Sequence, residues 1–336
     1  TVTDACRTRC TNPRIPPSSH PTSPSPTPST VRVPSDRSSP LGSIESLDDD
    51  RVARATPGRA SDSKPGDWAG TSQTGVMIEL EAGEARVRVD PVAGGRVASI
   101  EIAGHELLVT GDIGDNPMAW GSYPMVPFAG RIRDAHFDFR GRSIDLPPDM
   151  APHAIHGCAY VTPWDVLDET IDSCELQVGL TWPLGGRAHQ HVQLTPDALV
   201  CVLTVVAGHD AMPVTIGWHP WFRKPVADEL HFDSMYVRDA VGIPTGQLSE
   251  PAARPWDECF IGPRGRLALH TAEDITVVVA SDCDHWVVYD QPVHATCVEP
   301  QSGPPDAVHL GTATELEPGE MLQRTMTISW SPRQLH

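Results

Sequence analysis

Three short segments of the chain join titratable side chains to glycine and proline in a way that core packing does not call for. The first is Tyr123-Pro124-Met125-Val126-Pro127-Phe128-Ala129-Gly130-Arg131-Ile132-Arg133, followed by Ala154-Ile155-His156-Gly157. The second is Gly217-Trp218-His219-Pro220-Trp221-Phe222-Arg223, and the third is Cys297-Val298-Glu299-Pro300-Gln301-Ser302-Gly303-Pro304-Pro305-Asp306-Ala307. Glu299 follows an apolar run and precedes Pro300, so a strand would deliver its carboxylate at the start of a rigid loop. A carboxylate drawn out of water at such a place is paired or functional, and a fixed backbone fixes its position. The plainer alternative is a strand-end Glu facing solvent. His219 stands among Trp218, Trp221 and Phe222. Aromatic surface beside a polar group suits a sugar ring, whose C–H faces are apolar and whose hydroxyls demand hydrogen bonds. For His219, and for His156 before Gly157, the competing reading is a satisfied core histidine.

Other candidate chemistry is weaker. His189 and His191 would share one strand face and His153 and His156 form another pair, but neither pair has a recognisable third ligand, so a solvated strand face is favoured over zinc. His285 and His294 read as surface or loop residues. The stretch Gly262-Pro263-Arg264-Gly265-Arg266 is basic and Gly-rich, yet it lies between strand-like runs and reads as a hairpin turn rather than a phosphate cradle. Cys158, Cys174, Cys201, Cys259, Cys283 and Cys297 stand alone in apolar or strand-like stretches and read as reduced core thiols. Cys6 and Cys10 are spaced C-x3-C without a second ligand pair, which argues against a zinc site. No dinucleotide fingerprint, phosphate loop or serine elbow is present, which weighs against nucleotide cofactors and serine hydrolysis.

The elements that must position these residues are short strands. β-branched or alternating runs recur between turn signals at Met77–Leu80, Ala85–Val89, Val97–Ile102, Leu176–Trp182, His191–Leu194, Leu199–Val206, Val214–Trp218, Ile275–Ala280, Trp286–Tyr289 and Met326–Trp330. A hairpin is explicit at His136–Phe139, turning at Arg140-Gly141-Arg142 into Ser143–Leu146. With 34 Pro and 27 Gly spread along the chain, long helices are excluded. The expected fold is all-β, an antiparallel sandwich or barrel forming one domain over residues 71–336. Residues 1–70, rich in Pro, Ser, Thr and Arg, cannot bury enough apolar surface to offset their ordering entropy and read as a disordered tail. That tail has no apolar core of a secretory signal, and the chain opens on Thr1 rather than Met, as a processed product or a misplaced start would.

The net charge is −19, of which the tail carries +1 and the remainder −20. An acidic body repels phosphate, so nucleic acid and anionic membranes are excluded as partners. No run approaches the roughly 20 consecutive apolar residues of a spanning helix. A soluble, cytoplasmic protein is expected.

Together the three segments resemble the aldose 1-epimerase (galactose mutarotase) family over roughly residues 76–332. The likeness rests on P-F-x-x-R-I at Pro127–Ile132, I-H-G at Ile155–Gly157, H-P-[YW]-F at His219–Phe222 and E-P-x-x-G-P-P-D-A at Glu299–Ala307, in the family's order. Pro244-Thr245-Gly246 and Trp256-Asp257-Glu258-Cys259-Phe260 add to it. The resemblance implies a large antiparallel β-sandwich, the galactose mutarotase-like supersandwich, with an open sugar cleft. It implies interconversion of the α and β anomers of an aldose such as glucose or galactose. Glu299 would be the general base and His219 the general acid, with His156 bonding the ring oxygen or a neighbouring hydroxyl. Arg131 and Asp257 would hold sugar hydroxyls beside Trp221. No metal or organic cofactor is implied, and the partner is a small sugar. Two positions depart from the family pattern: Gly130 where many relatives carry Asn, and Trp221 where Tyr is frequent. Arg133, Arg223 and Lys224 would suit a hexose-6-phosphate mutarotase, or are simply exposed cations with acidic neighbours. Two further readings are a carbohydrate-binding module without catalysis and a glycoside hydrolase pairing Glu299 with Asp257.

Overall fold

The computed structural model describes residues 76–332 apart from Ile113, so the tail and the Cys6–Cys10 pair lie outside the described residues. The chain is built of antiparallel sheets, as its runs of short alternating strands require. An eleven-stranded sheet runs, in spatial order, through Ile78–Ala82, Ala85–Asp90, Arg96–Ile102, Ser122–Met125, Gly217–Arg223, Ala295–Gln301, His285–Tyr289, Asp257–Pro263, Phe232–Arg238 and Pro244–Ser249, with His105–Glu106 beside the third. An eight-stranded sheet runs through Asp165–Glu169, Ser173–Gly179, Arg187–Leu194, Ala198–Val206, Met321–Pro332, Ile275–Ser281, Leu267–His270 and Ala227–Glu229. The α-helix at Ala307–Leu310 is four residues long, and no described helix is long and apolar enough to cross a membrane.

Strand periodicity sets what each sheet buries. In Arg187–Leu194 every second residue, from Ala188 to Leu194, is buried and its neighbours are not, the pattern of a sheet with one face on a core. Apolar side chains of both sheets, among them Val87, Ile100, Trp218, Phe260 and Val298 from the larger and Leu176, Val192, Leu203 and Ile328 from the smaller, merge in one core. Gln190 links them further: it accepts from the Trp218 indole at 3.0 Å and donates to the Gly95 carbonyl at 2.6 Å, so no polar group is stranded there.

The central strands of the larger sheet differ. Six of the seven residues of Gly217–Arg223 and all seven of Ala295–Gln301 are buried, so both faces of these strands are covered. Trp218, Phe222 and Val298 enter the inter-sheet core, while Trp221, Ala295 and Cys297 join Tyr123, Met125, Ala129 and Tyr160 in a second cluster on the opposite face. The three aromatic residues flanking His219 therefore do not form one platform, because alternation sends Trp218 and Phe222 to the core.

Two sequence expectations are corrected. The run expected as a strand at Val214–Trp218 divides into Met212–Val214 and Gly217–Arg223, and the latter continues through Pro220. Likewise, Glu299 lies within a strand that runs on through Pro300 to Gln301. Proline is tolerated because the ladder lapses: Gly217 pairs with Gln301 and pairing resumes at Trp221–Cys297, so neither Pro220 nor Pro300 is asked for an N–H there. The Gly262–Arg266 stretch is not a hairpin, since Asp257–Pro263 belongs to the larger sheet and Leu267–His270 to the smaller; the turn carries the chain between sheets. The hairpin at His136–Phe139 and Arg142–Asp145 forms as expected, with both Arg140 (φ 48°) and Gly141 (φ 77°) in the left-handed region of a two-residue turn.

The smaller sheet contributes none of the residues that line the cleft described below. Leu203→Ala, in a fully buried position of that sheet, is expected to lower unfolding free energy by about 2–5 kcal/mol in urea titration.

Candidate active site

A cleft of about 330 Å³ opens on the face of the larger sheet away from the main core. Its size is at the lower end of small-molecule pockets, roughly 300–1,000 Å³. Its floor is a consequence of register. His219 is the ladder partner of Tyr123 on one side. The register that joins Gly217 to Gln301 and Trp221 to Cys297 sets His219 opposite Glu299 on the other. Glu299 pairs with Val287, and Val287 with Cys259. One row across five strands thus places Tyr123, His219, Glu299, Val287 and Cys259 side by side, and all five line the cleft. The next row on that face, two residues along, contributes Trp221, Tyr289 and Asp257.

The remaining wall comes from the paired segments Arg131–Ile132 and Ala154–Ile155. The Gly130 carbonyl accepts from the His156 amide at 3.0 Å, and the His156 Nδ1 accepts from the Gly130 amide at 3.2 Å. That second bond fixes the tautomer: with Nδ1 as acceptor, the neutral ring carries its proton on Nε2 and is a donor. His156 sits at φ 59°, a conformation that non-glycine residues seldom adopt outside functional or turn positions. Gly157 beside it must be glycine, since a Cβ there would lie 2.0 Å from the Val126 carbonyl oxygen. Gly130 is equally constrained: at φ 73°, a Cβ would approach the Cβ of Pro305 to 2.6 Å. In this chain the proline of the third segment occupies the space that a side chain at 130 would need.

Glu299 and His219 are only 2% and 6% exposed, and Oε1 of the one lies 3.2 Å from Nε2 of the other. Gln301 donates to Oε2 of Glu299 at 3.2 Å. Burial pushes the Glu299 carboxyl well above the ordinary carboxylate value, the charge of Asp257 adding to the effect and the Gln301 bond opposing it. Burial likewise holds His219 well below the ordinary imidazole value, with neighbouring His156 acting in the same direction. His156 is held down to about 3, by burial and then by Arg131. Burial therefore favours the neutral form of both rings and of the Glu299 carboxyl, an arrangement that leaves one proton for the contact between Oε1 and Nε2.

Behind Tyr123 lies Arg96, fully buried. Its guanidinium donates to the carbonyls of Ala93 (2.6 Å), Pro117 (2.9 Å), Trp120 (3.0 Å) and Tyr160 (3.2 Å) and lies over the Trp120 and Tyr123 rings at 4.1 and 5.3 Å. Burial lowers its pKa to about 10, so it remains a cation. Tyr123 in turn stacks on His219, with ring centroids 4.8 Å apart. Trp221 stacks on His219 at 5.4 Å and on His294 at 6.4 Å, so its indole is flanked by imidazoles on both sides.

The outer wall is charged. Arg131 donates to the Gly242 carbonyl at 3.3 Å and stands 3.9 Å from Asp257. Arg238 donates to Asp257 at 3.1 Å and to Glu258 at 2.7 Å. All six residues singled out in sequence, Glu299, His219, His156, Arg131, Asp257 and Trp221, line this one cleft. Sequence reasoning missed Gln301, Tyr123 and Arg238. Strand alternation from Glu299 points to Gln301 and the first segment contains Tyr123, but nothing in sequence marks Arg238.

Arg133, Arg223 and Lys224 do not line the cleft. Arg133 pairs with Asp239 at 2.7 Å and Asp306 at 3.7 Å, Arg223 donates to the Leu108 carbonyl, and Lys224 to those of Asp290 and Ala295. His294 is exposed as expected, whereas His285 is a half-buried strand residue bonded to the Tyr236 hydroxyl at 3.1 Å. The His191 imidazole is half-exposed on its strand, 3.7 Å from Glu175. The six lone cysteines are free thiols.

Known proteins share this architecture. The chain is 24% identical over 240 residues to the Escherichia coli (strain K12) protein YphB, covering 61% of this chain and 82% of that one. It superposes on a galactose mutarotase-like protein from Clostridium acetobutylicum with a TM-score of 0.69 at 18% identity, over 76% of this chain and 95% of the other. Against a galactose 1-epimerase from Lactobacillus acidophilus NCFM the TM-score is 0.66 at 16% identity, over 77% and 95% of the two chains. At such identities the structural likeness speaks to the fold. The aldose 1-epimerase family matches residues 77–329, a span that takes in every residue lining the cleft, and the chain belongs to that family.

Proposed function

We propose that the cleft interconverts the α and β anomers of a free aldose, glucose or galactose being the first candidates, and that Glu299 and His219 carry the two proton transfers. The observation that supports this most is the 3.2 Å contact between a carboxyl and an imidazole at the bottom of a small cleft, both nearly out of water. Ring opening removes a proton from the C1 hydroxyl and adds one to the ring oxygen, so it needs an acceptor and a donor together. In this assignment Glu299 accepts and His219 donates. Their shared proton moves from Oε1 to Nε2 along the existing contact, which readies both groups without changing the net charge of the buried site. After rotation about C1–C2 in the open-chain aldehyde, the two transfers run in reverse and close the ring on the other face.

His156 supplies the Nε2–H donor to the ring oxygen or a neighbouring hydroxyl. Arg131 and Asp257 orient hydroxyls, with Arg238 holding the Asp257 carboxylate in place. Trp221 closes the side of the cleft by its indole edge and flanking imidazoles rather than as an open stacking face. With Arg133, Arg223 and Lys224 committed elsewhere, the cations that would have favoured a sugar phosphate are outside the site.

Polarimetry of freshly dissolved α-D-glucose and α-D-galactose at low buffer concentration is expected to show accelerated mutarotation. Glu299→Gln and His219→Asn should each reduce it by about 10²–10⁴-fold while sugar binding, followed calorimetrically, survives; undiminished turnover in Glu299→Gln would remove it as the base. The pH dependence follows from the shared proton. The acid limb comes from adding a second proton, which a lowered His219 pKa shifts to below the ordinary imidazole value of 6.5. The alkaline limb comes from losing the one proton, which a raised Glu299 pKa shifts to well above 4.5. The acid limb is therefore expected below pH 6.5 and the alkaline limb above pH 4.5; an acid limb centred at 6.5 would show that the two groups titrate independently. Arg238→Gln is expected to raise KM about tenfold, the worth of one charge-assisted hydrogen bond, with little change in kcat.

A further inference from the structure

One group of metal-ligating side chains converges among the described residues with a member that has no role above: the Cys297 thiol joins His219 and Glu299, and the ligand atoms of all three lie within 4.8 Å of one another. The anomer chemistry uses the carboxyl and the imidazole and leaves the thiol without a task. Register explains the convergence. Cys297 precedes Glu299 by two residues on the same strand face and pairs with Trp221, which follows His219 by two. Sulfur, nitrogen and oxygen thus meet across one strand pair, at a spacing that no i, i+2 or i, i+3 pattern of histidines would reveal.

The donor set selects the ion. Thiolate with imidazole disfavours Mg²⁺ and Ca²⁺ and suits Zn²⁺ or Co²⁺, which take nitrogen and carboxylate oxygen at about 2.0–2.2 Å and sulfur at about 2.3 Å. Two ligands of one tetrahedral zinc stand roughly 3.3 Å apart at those bond lengths, close to the His219–Glu299 separation of 3.2 Å. Three protein ligands leave a fourth position, and both His219 and Glu299 line the cleft, so that position faces the space a sugar would fill. Gln301, bonded to the other carboxyl oxygen, would orient the Glu299 ligand from outside the coordination sphere.

We propose that Cys297, His219 and Glu299 form an inhibitory site for a thiophilic divalent cation, with Zn²⁺ as the type, and that the bound ion excludes sugar chemistry by occupying base and acid together. Binding exchanges the thiol proton and the proton shared by the pair for the cation, and both protons leave to solvent. The dication offsets the charges of a carboxylate and a thiolate that burial otherwise disfavours.

The test uses the full chain freed of metal by chelation and titrated with Co²⁺. One equivalent is expected to give the near-ultraviolet thiolate-to-cobalt charge-transfer band, which Zn²⁺ displaces and saturating glucose weakens. Cys297→Ser should lose the band, and the mutarotation it retains should shed Zn²⁺ inhibition by at least the roughly 10–100-fold that even an outer partner of a metal is worth. Cys259→Ser, altering the one thiol that lines the cleft, should keep the band. If Cys297→Ser does not fold, Cys297→Ala and His219→Asn serve for the Co²⁺ titration. The site is overturned by absence of binding at millimolar metal, by binding without the thiolate band, or by a band or Zn²⁺ inhibition that survives loss of Cys297. Because the spectroscopic readout does not depend on turnover, it stands or falls separately from the anomer chemistry.

Discussion

Everything at the site depends on removing one carboxyl and one imidazole from water at the same point. Glu299 and His219 can share a proton across 3.2 Å because they sit opposite one another on two central strands, each covered on both faces. On an ordinary antiparallel strand with one wet face, solvent would separate the pair and return each group to its usual titration. The second cluster around Tyr123, Trp221 and Cys297 is thus a condition of that burial, since it keeps the outer face of these strands dry.

The two prolines at the site serve the same end. The ladder between Gly217–Arg223 and Ala295–Gln301 lapses where His219 and Glu299 stand, and Pro220 and Pro300 have no amide hydrogen to leave unsatisfied in that gap. Pairing on the outer sides, to Ser122–Met125 and His285–Tyr289, keeps the strands in register across it.

Much of this was legible in the sequence. Alternation gave away strands such as Arg187–Leu194, where burial strictly follows every second residue, and the density of proline and glycine ruled out a helical framework. The three polar segments could be picked out because glycine, proline and charge together are wasteful in a core. What remained hidden was of two kinds. Strands that run through proline look interrupted, so Gly217–Arg223 and Ala295–Gln301 read as shorter than they are. Partnership across strands is set by register, which a linear reading does not contain; Arg238, Tyr123 and the convergence of Cys297 on the Glu299–His219 pair come from distant stretches or from neighbouring strands. The aromatic flank of His219 misled for a related reason, because three rings adjacent in sequence fall on two faces of a sheet.

Arg96 has a further significance. Its cationic group is bound by four backbone carbonyls, which are themselves fixed by the chain path, and it lies behind the ring that stacks on His219. A positive charge held in this way cannot turn aside or recruit water when electron density shifts in the cleft. It acts as a permanent field source, already oriented before anything enters the cleft, and its burial shields it from the mobile ions that screen surface charges. The polarity of the site is in this sense written into the main chain, one layer beneath the side chains that line the cleft.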